Sequence, residues 1–479
     1  MGVVVNDIHS ELNASEVLKV VAVDSLDAIR AGLAEARALG VPVAVAGGRH
    51  AMGGQQFCAG GIVLDTTAQK RVLNIDTTHG LVEVEAGIQW PDLIAALNAA
   101  QSDLAQPWVI AQKQTGADRL SIGGSIAANI HGRGLAMKPF VADVESLVLV
   151  DHEGHTIPCS REQNSELFGL VAGGYGLFGC IYSAKLRLVS RSVLERAVEL
   201  ETIDAVVVRF AERVAEGFEY GDFQFATDEA SEDFLRTGIF SCYRPVEVTR
   251  PLPATQRMLS HADWRRLIVL AHTDKRLAFD LYSKHYLATS GQLYYSDLHQ
   301  LSDYEDGYHR LVDSALGART PATEMICELC VPRLRLADFM AAAAEDLRKH
   351  RADVIYGTVR LVEQDDESFL AWARESWASV IFNLHTEHTA DGLERSAAAF
   401  RRLIDLAIAQ GGSYFLTYHR WAERRQVEAC YPQFGEFLRL KRAYDPDERF
   451  QSDWYRHYRE MFADQINERG ADAAASGTR

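Results

Sequence analysis

No stretch of the sequence reaches the roughly 18 consecutive apolar residues that a membrane-spanning helix needs. The first residues also lack the basic start and apolar core of a secretion signal. Positive charge is in deficit, because 49 Lys and Arg stand against 66 Asp and Glu and give a formal net charge of −17. Such a chain repels phosphate backbones and anionic lipid surfaces at long range. These absences predict a cytoplasmic protein with no nucleic-acid or membrane partner.

Cysteine is scarce, and its spacing is irregular. The seven cysteines form no disulfide framework, which predicts reduced thiols. Cys327 and Cys330 are the one close pair, but they lie in the apolar run 325–331, which predicts a buried strand. A zinc site built on such a pair would need a second pair of cysteines. The sequence therefore predicts no metal site.

Length and composition are those of a soluble globular protein. The chain has 479 residues, of which 47% are hydrophobic and 24% charged, and this length predicts two or three domains. Short strands are predicted at 20–23, 41–46 and 62–65, with a helix over 26–39 that Ser25 caps. Regular alternation of strands and helices, typical of a doubly wound sheet, is missing. We therefore expect an α+β fold.

A glycine-rich stretch at 46–55 follows the apolar run 41–45. Paired glycines at Gly47 and Gly48 let backbone N–H groups converge without Cβ atoms, which is how a loop cradles a pyrophosphate. His50 lies beside them and could reach the ring system of a dinucleotide cofactor. Taken alone, the stretch is more typical of a surface turn with an incidental histidine.

A second stretch of small residues covers 115–134. Positions 123–125 and 127–128 leave room for a flat ligand against the backbone, and Ser121, Ser125 and Asn129 could bind its polar rim. A tightly packed helix start would use small residues too. Because this stretch carries His131 and the first carries His50, their occurrence together favours a ligand site.

A third glycine pattern has the spacing Gly174-x-Gly176-x-x-Gly179 of a nicotinamide-binding fingerprint. Its context is reversed, because a predicted helix precedes it and a predicted strand follows it. Pyrophosphate binding at a helix N-terminus needs the strand first. The pattern therefore does not indicate a nicotinamide site.

Together these motifs resemble those of the flavin-binding oxidoreductases of the vanillyl-alcohol oxidase and p-cresol methylhydroxylase (PCMH) type. The resemblance covers 47–50, 116–117, 121–132 and 173–181, and it resumes at 440–450. It implies a PCMH-type FAD-binding domain built from N- and C-terminal segments, and a cap domain with an antiparallel sheet and covering helices. The expected boundaries are 1–193 and 415–466 for the FAD domain, 194–414 for the substrate or cap domain, and 467–479 for a disordered tail.

The same resemblance implies FAD as the cofactor. His50 matches the position at which aldonolactone, alditol and related oxidases carry a histidyl-linked flavin, which predicts an 8α-histidyl bond. No cysteine in 121–132 suggests a second linkage, and some relatives hold FAD without any covalent bond. The residues expected to bind the cofactor are Gly47, Gly48, Arg49, His50, Ala51, Met52, Gly116, Ala117, Ser121, Gly123, Gly124, Ser125, Ala128, His131, Gly132, Gly176, Gly179 and Ile181.

Oxidation of an alcohol by flavin needs a base for the hydroxyl proton, and histidine suits that role. His419, on a strand predicted over 414–420, is the first expectation, although this chain has His-Arg-Trp-Ala where such oxidases show His-Trp-Gly-Lys. Arg360 is expected as an electrostatic partner. His385, Glu328 and Glu387 are the possible substitutes.

Each of these residues also has a structural interpretation. A histidine on a strand more often makes a satisfied structural hydrogen bond than a catalytic one. Arg360 could equally join Glu363 or Asp365 in a surface ion pair.

The expected activity is oxidation of a CH–OH group of a polyol, sugar or hydroxy-lactone, with oxygen or another acceptor reoxidising the flavin. In outline the chain is nearest to aldonolactone and alditol oxidases and to decaprenylphosphoryl-ribose oxidase. Two alternatives remain: a flavin-dependent C=C reductase, and a flavin electron-transfer subunit of a larger complex. The sequence predicts no oligomeric state.

Overall fold

A computed structural model describes residues 2–247, 252, 256–302 and 307–467 of the chain. Of these described residues 36% are helical and 26% are in strands, which confirms the mixed helix-and-sheet prediction. The tail predicted over 467–479 lies outside the described residues except for its first position. The domain boundaries predicted from the sequence stay predictions.

The N-terminal part holds a hairpin and a small parallel sheet. The hairpin pairs β1 (Val3–Val5) with β2 (Ser15–Val17), and the sheet has the order β3 (Lys19–Ala22), β5 (Ile62–Asp65), β4 (Val43–Ala46). Helix α1 (Leu26–Leu39) connects β3 to β4. Ser25 caps its start by accepting a hydrogen bond from the backbone of Ala28, and Gly40 ends it in the left-handed region. Ile29 and Leu33, one turn apart, are buried against this sheet.

A second, antiparallel sheet follows. Its strands are β6 (Val72–Asp76), β7 (Leu81–Glu85), β8 (Trp108–Ile110), β9 (Val144–Val150), β10 (Thr156–Ser160) and β11 (Cys180–Ser190). The order is β10-β9-β11-β7-β6, with β8 paired to the end of β11. The connections contain α2 (Trp90–Ala100), α3 (Ile122–Ala128) and α4 (Ser165–Val171).

An eight-stranded antiparallel sheet forms the middle of the chain. Its order is β15-β12-β14-β13-β17-β18-β16-β19. The strands are β12 (Val193–Thr202), β13 (Tyr220–Phe225), β14 (Thr237–Val246), β15 (Leu293–Tyr295), β16 (Ala322–Pro332), β17 (Val354–Val362), β18 (Trp377–Glu387) and β19 (Ser413–Tyr414). The accompanying helices are α5 (Ile203–Ala215), α6 (His261–Thr273), α7 (Lys275–Leu287), α8 (Tyr308–Leu316), α9 (Leu336–Lys349) and α10 (Ala390–Ala409).

Alternation along the strands gives this sheet two different faces. Phe382 and Leu384 of β18 point into an apolar core, where the ring of Phe339 from α9 lies 6.5 Å from that of Phe382. Ile381 and Asn383 point the other way and line a cavity. Helices α6 and α7 also line that cavity, so helices lie on both faces of the sheet.

The last described residues form α11 (Arg424–Cys430), α12 (Phe434–Tyr444), α13 (Asp453–Met461) and α14 (Ala463–Asn467). Between α12 and α13 the chain returns to the N-terminal sheet. The amide of Val43 donates to the carbonyl of Arg449 at 2.7 Å, and the amide of Gln451 donates to the carbonyl of Val43 at 2.9 Å. Phe450 is buried in the same apolar cluster as α1. Segments from the two ends of the sequence therefore share one core.

A buried ion pair stabilises the segment between α12 and α13 that contacts the N-terminal sheet. Lys441 and Asp445 contact each other with side chains at most 1% exposed, and Asp445 also accepts hydrogen bonds from the backbone of Arg449 and Phe450, both at 2.8 Å. Replacing Asp445 with Ala leaves the Lys441 ammonium buried and unpaired, and we expect a loss of about 3–5 kcal/mol in the free energy of unfolding. Chemical denaturation followed by circular dichroism measures it.

The matched control for this prediction is Asp447→Ala, two residues further along and exposed. It should change the free energy of unfolding by no more than about 0.5 kcal/mol. Equal denaturation midpoints for the two variants would show that the buried pair does not stabilise the return of the chain.

Candidate functional site

A cavity of about 730 Å³ lies between the glycine-rich loops and the eight-stranded sheet. One wall is formed by the loop after β4, by residues 114–117, by the first turns of α3 and by residues 175–181. The opposite wall is formed by side chains of β16, β17 and β18 together with α6 and α7. Its volume is in the range of cavities that hold cofactors and small ligands.

The loop after β4 packs too closely on its neighbours to carry side chains at its two glycines. A Cβ atom on Gly47 would lie 2.0 Å from Oγ of Ser121, and one on Gly48 would lie 2.2 Å from the carbonyl oxygen of Arg119. Arg49 then adopts a left-handed backbone with φ of +58°. The absence of side chains lets the loop and the start of α3 form one continuous surface.

His50 continues this loop and meets a second histidine, His9, which lies between β1 and β2. Nδ1 of His50 is 2.8 Å from Nε2 of His9, and Nε2 of His50 is buried with no hydrogen-bond partner. Burial, reinforced by the charge of His9, lowers the pKa of His50 to about 2. The ring is therefore neutral and has a nitrogen available for a ligand in the cavity.

The start of α3 forms the other part of the wall. Oγ of Ser121 caps the helix by accepting a hydrogen bond from the backbone of Gly124 at 3.2 Å. The amide of Gly123 donates to the carbonyl of Ala86 at 2.7 Å, which holds the helix against the second sheet. The small residues of α3 are thereby presented to the cavity.

All but two of the predicted cofactor residues line the cavity. The exceptions support the wall from behind: Oγ of Ser125 accepts a hydrogen bond from the indole of Trp90 at 3.1 Å, and the amide of Gly132 donates to Gln112 at 3.2 Å. The lining residues are Gly47, Gly48, Arg49, His50, Ala51, Met52, Gly116, Ala117, Ser121, Gly123, Gly124, Ala128, His131, Gly176, Gly179 and Ile181.

These features fit a dinucleotide with a flat ring system. Gly47 and Gly48 line the cavity without side chains, so this cradle lets a ligand approach the backbone closely. His50 presents an unpartnered nitrogen beside that cradle. FAD is therefore compatible with the residues of this wall.

At the sheet side, Glu328 of β16 is fully buried and forms a polar cluster. Its Oε1 lies 2.5 Å from Nε2 of His131 and also accepts a hydrogen bond from Ser379. Burial favours the protonated carboxyl, but His131, Ser379 and the charge of Arg360 outweigh burial and lower the pKa of Glu328. The carboxylate is therefore ionised.

Arg360 and Tyr418 connect this cluster to the cavity, because both line it. Nε of Arg360 is buried with no hydrogen-bond partner. Burial, followed by the charge of Glu328, raises the pKa of the Tyr418 hydroxyl well above its ordinary value. Tyr418 therefore keeps its proton and serves as a hydrogen-bond donor.

The structure does not bring His419 or His385 to this cluster. The strand predicted over 414–420 ends at Tyr414, and the turn that follows directs His419 away from the cavity, where its ring stacks on Phe400 at a centroid distance of 5.0 Å. Burial lowers the pKa of His419 to about 3. His385 does lie on a strand, but it faces His272 and Glu324.

Comparison with known proteins agrees with this geometry. A family model described as an FAD binding domain matches residues 17–160. The L-gulono-1,4-lactone dehydrogenase of Mycobacterium tuberculosis is 25% identical over 402 residues, which cover 83% of this chain and 86% of that protein. An uncharacterised oxidoreductase of the fasciation locus of Rhodococcoides fascians is 35% identical over 162 residues, 33% of this chain and 34% of that one. The L-gulonolactone oxidase of Bos taurus is 27% identical over 183 residues, 38% and 40% of the two chains.

Residues 17–160 therefore match an FAD-binding domain of the PCMH type, and the chain's relatives include oxidoreductases of the vanillyl-alcohol oxidase superfamily. The predicted cofactor, FAD, and the predicted class, a FAD-dependent oxidoreductase, are thereby confirmed. The assignment of single catalytic residues, and the covalent bond to His50, stay predictions. Within the described ranges of this oxidoreductase, no helix has both the length and the apolar character needed to cross a bilayer.

Several residues of the cavity were missed by the sequence motifs. Tyr418 is next to the predicted His419, but only the course of the backbone decides which of the two faces the cavity. Arg133 lies near the end of the second glycine-rich stretch, whereas His9 and Arg196 are far from any motif. The position of Arg133 was a usable signal, but nothing in the sequence marked the other two.

Proposed function

We propose that this oxidoreductase oxidises a CH–OH group of a small polar substrate, such as a polyol, a sugar or a hydroxy-lactone. FAD, when bound, would supply the hydride acceptor at its N5 atom, and oxygen or another acceptor would reoxidise it. The observation that carries the proposal is that Arg360 and Tyr418 line the same cavity as the glycine-rich wall and both interact electrostatically with the buried carboxylate of Glu328.

In this proposal Arg360 and Tyr418 hold the substrate hydroxyl. The Arg360 guanidinium stabilises the negative charge that develops on the substrate oxygen as its proton leaves. The Tyr418 hydroxyl contacts the same oxygen and passes a proton to Glu328. Loss of a hydride makes the substrate hydroxyl strongly acidic, so a carboxylate with a lowered pKa suffices as the final acceptor.

The remaining charges of the cavity favour an oxygen-rich substrate. Arg133, Arg196 and Arg360 all line the cavity, and none of them makes an ion pair with a described residue. Arg133 donates instead to the carbonyl of His299, and Arg196 donates to the hydroxyl of Ser241. Unpaired guanidinium groups bind carboxylates, lactone carbonyls and sugar hydroxyls. The names of two relatives, a gulonolactone dehydrogenase and a gulonolactone oxidase, support the same class.

Anaerobic stopped-flow reduction of the flavin tests this proposal. A panel of polyols, sugars, aldonolactones and sugar acids is first screened for bleaching of the flavin bands. With the substrate found, we expect Arg360→Met to slow flavin reduction by about 100- to 1000-fold, because no positively charged group then stabilises the negative charge on the substrate oxygen. Tyr418→Phe should slow flavin reduction by about 100-fold, because the variant has no hydroxyl to pass the substrate's proton to Glu328.

Tyr444→Phe is the matched control, since this tyrosine lies outside the cavity and binds Glu166. His419→Gln tests the earlier expectation. If it slows reduction as much as Tyr418→Phe does, the base is His419 and the relay proposed above is wrong.

The panel also tests the alternative activities. If no alcohol bleaches the flavin but a reduced nicotinamide does, the C=C reductase is favoured. Co-purification of stoichiometric partner chains would favour an electron-transfer subunit, although such a carrier does not need a cavity of this size.

A further inference from the structure

Three potential metal ligands meet where α6 lies against the eight-stranded sheet. They are His272 in the last turn of α6, Glu324 on β16 and His385 on β18, and one ligand atom from each lies within 4.8 Å of the other two. Glu324 and His385 are direct partners across the antiparallel pair. The rings of His272 and His385 meet edge to face with centroids 5.1 Å apart. The cluster lies outside the group formed by Glu328, Arg360 and Tyr418.

The hydrogen bonds at this cluster leave donor atoms unused. Nδ1 of His272 is 2.9 Å from the carbonyl oxygen of Ile268, so that nitrogen carries the proton, and Nε2 faces Oε1 of Glu324 at 2.9 Å. The second carboxylate oxygen of Glu324 is buried with no hydrogen-bond partner, and so is Nδ1 of His385. Glu324 is only 6% exposed. Three lone pairs are therefore gathered at one place around a largely buried carboxylate.

We propose that His272, Glu324 and His385 bind a divalent transition-metal ion, of which Zn²⁺ is the best match. Two imidazoles and one carboxylate form a common zinc ligand set that leaves a fourth position for water or another ligand. A histidine that binds a metal usually donates its other ring N–H to a carbonyl or a carboxylate. The hydrogen bond from Nδ1 of His272 to the carbonyl of Ile268 is such a contact, and it leaves the lone pair of Nε2 for the ion. The proposal differs from the sequence-based prediction that the chain has no metal site.

An ion pair alone explains less of this arrangement. A protonated His272 would satisfy Oε1 of Glu324, but the other carboxylate oxygen and Nδ1 of His385 would stay buried and unbonded. Each such buried polar group without a partner destabilises the fold. A bound ion gives all three side chains a partner. Ligand atoms around zinc lie about 3.3 Å apart for bonds of about 2.0–2.2 Å, so closure needs side-chain shifts of only about 1 Å.

The ion would attach helix α6 to strands β16 and β18 of the eight-stranded sheet. Helix α6 lines the cavity through Leu267, Ile268 and Ala271, yet none of its residues is fully buried. Apolar packing therefore contributes less to holding this helix than it does for α10, which has eight buried residues. His272 and Glu324 also line the cavity, which gives the ion a route of entry and gives its fourth position access to water.

Metal analysis of the full-length protein tests the proposal. The protein is purified without a histidine tag, incubated with Zn²⁺ and dialysed, and its zinc is counted by mass spectrometry. We expect one zinc ion per chain in the wild type. Competition with a chromogenic chelator should show an affinity at least about 100-fold weaker for Glu324→Gln and for His385→Gln. Glu387→Gln, an exposed neighbour on β18 that pairs with Arg395, should bind zinc as the wild type does.

Two further measurements use the wild type alone and do not depend on how the variants fold. X-ray absorption at the zinc edge should show only nitrogen and oxygen ligands at about 2.0–2.2 Å. Hydrogen exchange in α6 should slow by at least tenfold when zinc is added to metal-free protein. The proposal is overturned by less than one zinc ion per ten chains, by sulfur ligands, by equal affinity in all variants, or by unchanged exchange in α6.

Discussion

After acid precipitation of the wild-type protein we expect the flavin to stay with the polypeptide, and after the same treatment of His50→Ala we expect all of it in the supernatant. Attachment to a flavin methyl carbon needs a neutral imidazole with a free lone pair. Burial and His9 keep His50 neutral by lowering its pKa to about 2, and its Nε2 has no other partner. Visible spectra of pellet and supernatant measure the result.

The control for this prediction is His79→Ala, which removes an exposed histidine that pairs with Asp76. It should leave the flavin in the pellet. Because His50 gains a proton only near pH 2, the fraction of linked flavin should not fall between pH 8 and pH 5 through this residue. Release of flavin from the wild type would show a non-covalent cofactor, and retention by His50→Ala would place the bond at another residue.

Replacing Gly48 with Ala should weaken FAD binding by about 10- to 100-fold. The new methyl group would lie 2.2 Å from the carbonyl oxygen of Arg119, so the loop must move away from the start of α3. Overpacking of this kind costs about 1–3 kcal/mol, and each 1.4 kcal/mol corresponds to about a tenfold change in affinity. The measurement is best made in a His50→Ala background, where FAD exchanges freely and its fluorescence reports binding.

Gly60→Ala is a demanding control for this experiment. Gly60 has a φ of +71°, but no atom lies within 4 Å of an added Cβ, so Ala there strains the backbone without a clash. We expect lower stability and unchanged FAD affinity. If Gly48→Ala binds FAD as tightly as its parent does, the close approach of the two loops is not needed for the cofactor.

The FAD-binding wall was predictable because its chemistry is local. Paired glycines at Gly47 and Gly48, and the small residues near Ser121, show in the sequence that the backbone must come close to something. All but two of the predicted residues line the cavity. The hydrogen-bond caps at Ser25 and Ser121 follow from the same kind of short-range rule.

The catalytic side was harder to predict because it depends on backbone course and strand register. Alternation along a strand tells which side chains share a face, and it holds for Arg360 on β17. The rule fails for His419, because the strand stops at Tyr414. The turn that follows places Tyr418, and not His419, in the wall of the cavity. Similarly, Glu324 and His385 are 61 positions apart and meet only through the register of β16 and β18. Hydrophobic patterning does not fix that register in a sheet with apolar residues on both faces.

The pairing of Val43 with residues 449–451 also sets the order of events during synthesis. A ribosome adding roughly 5–20 residues per second needs roughly 20–80 s to make the chain between these two positions. During that interval β4, at the edge of the first sheet, lacks its contacts with residues 449–451, while the strands of the eight-stranded sheet are synthesised. A chain truncated before residue 449 therefore lacks part of the core on which the glycine-rich wall rests.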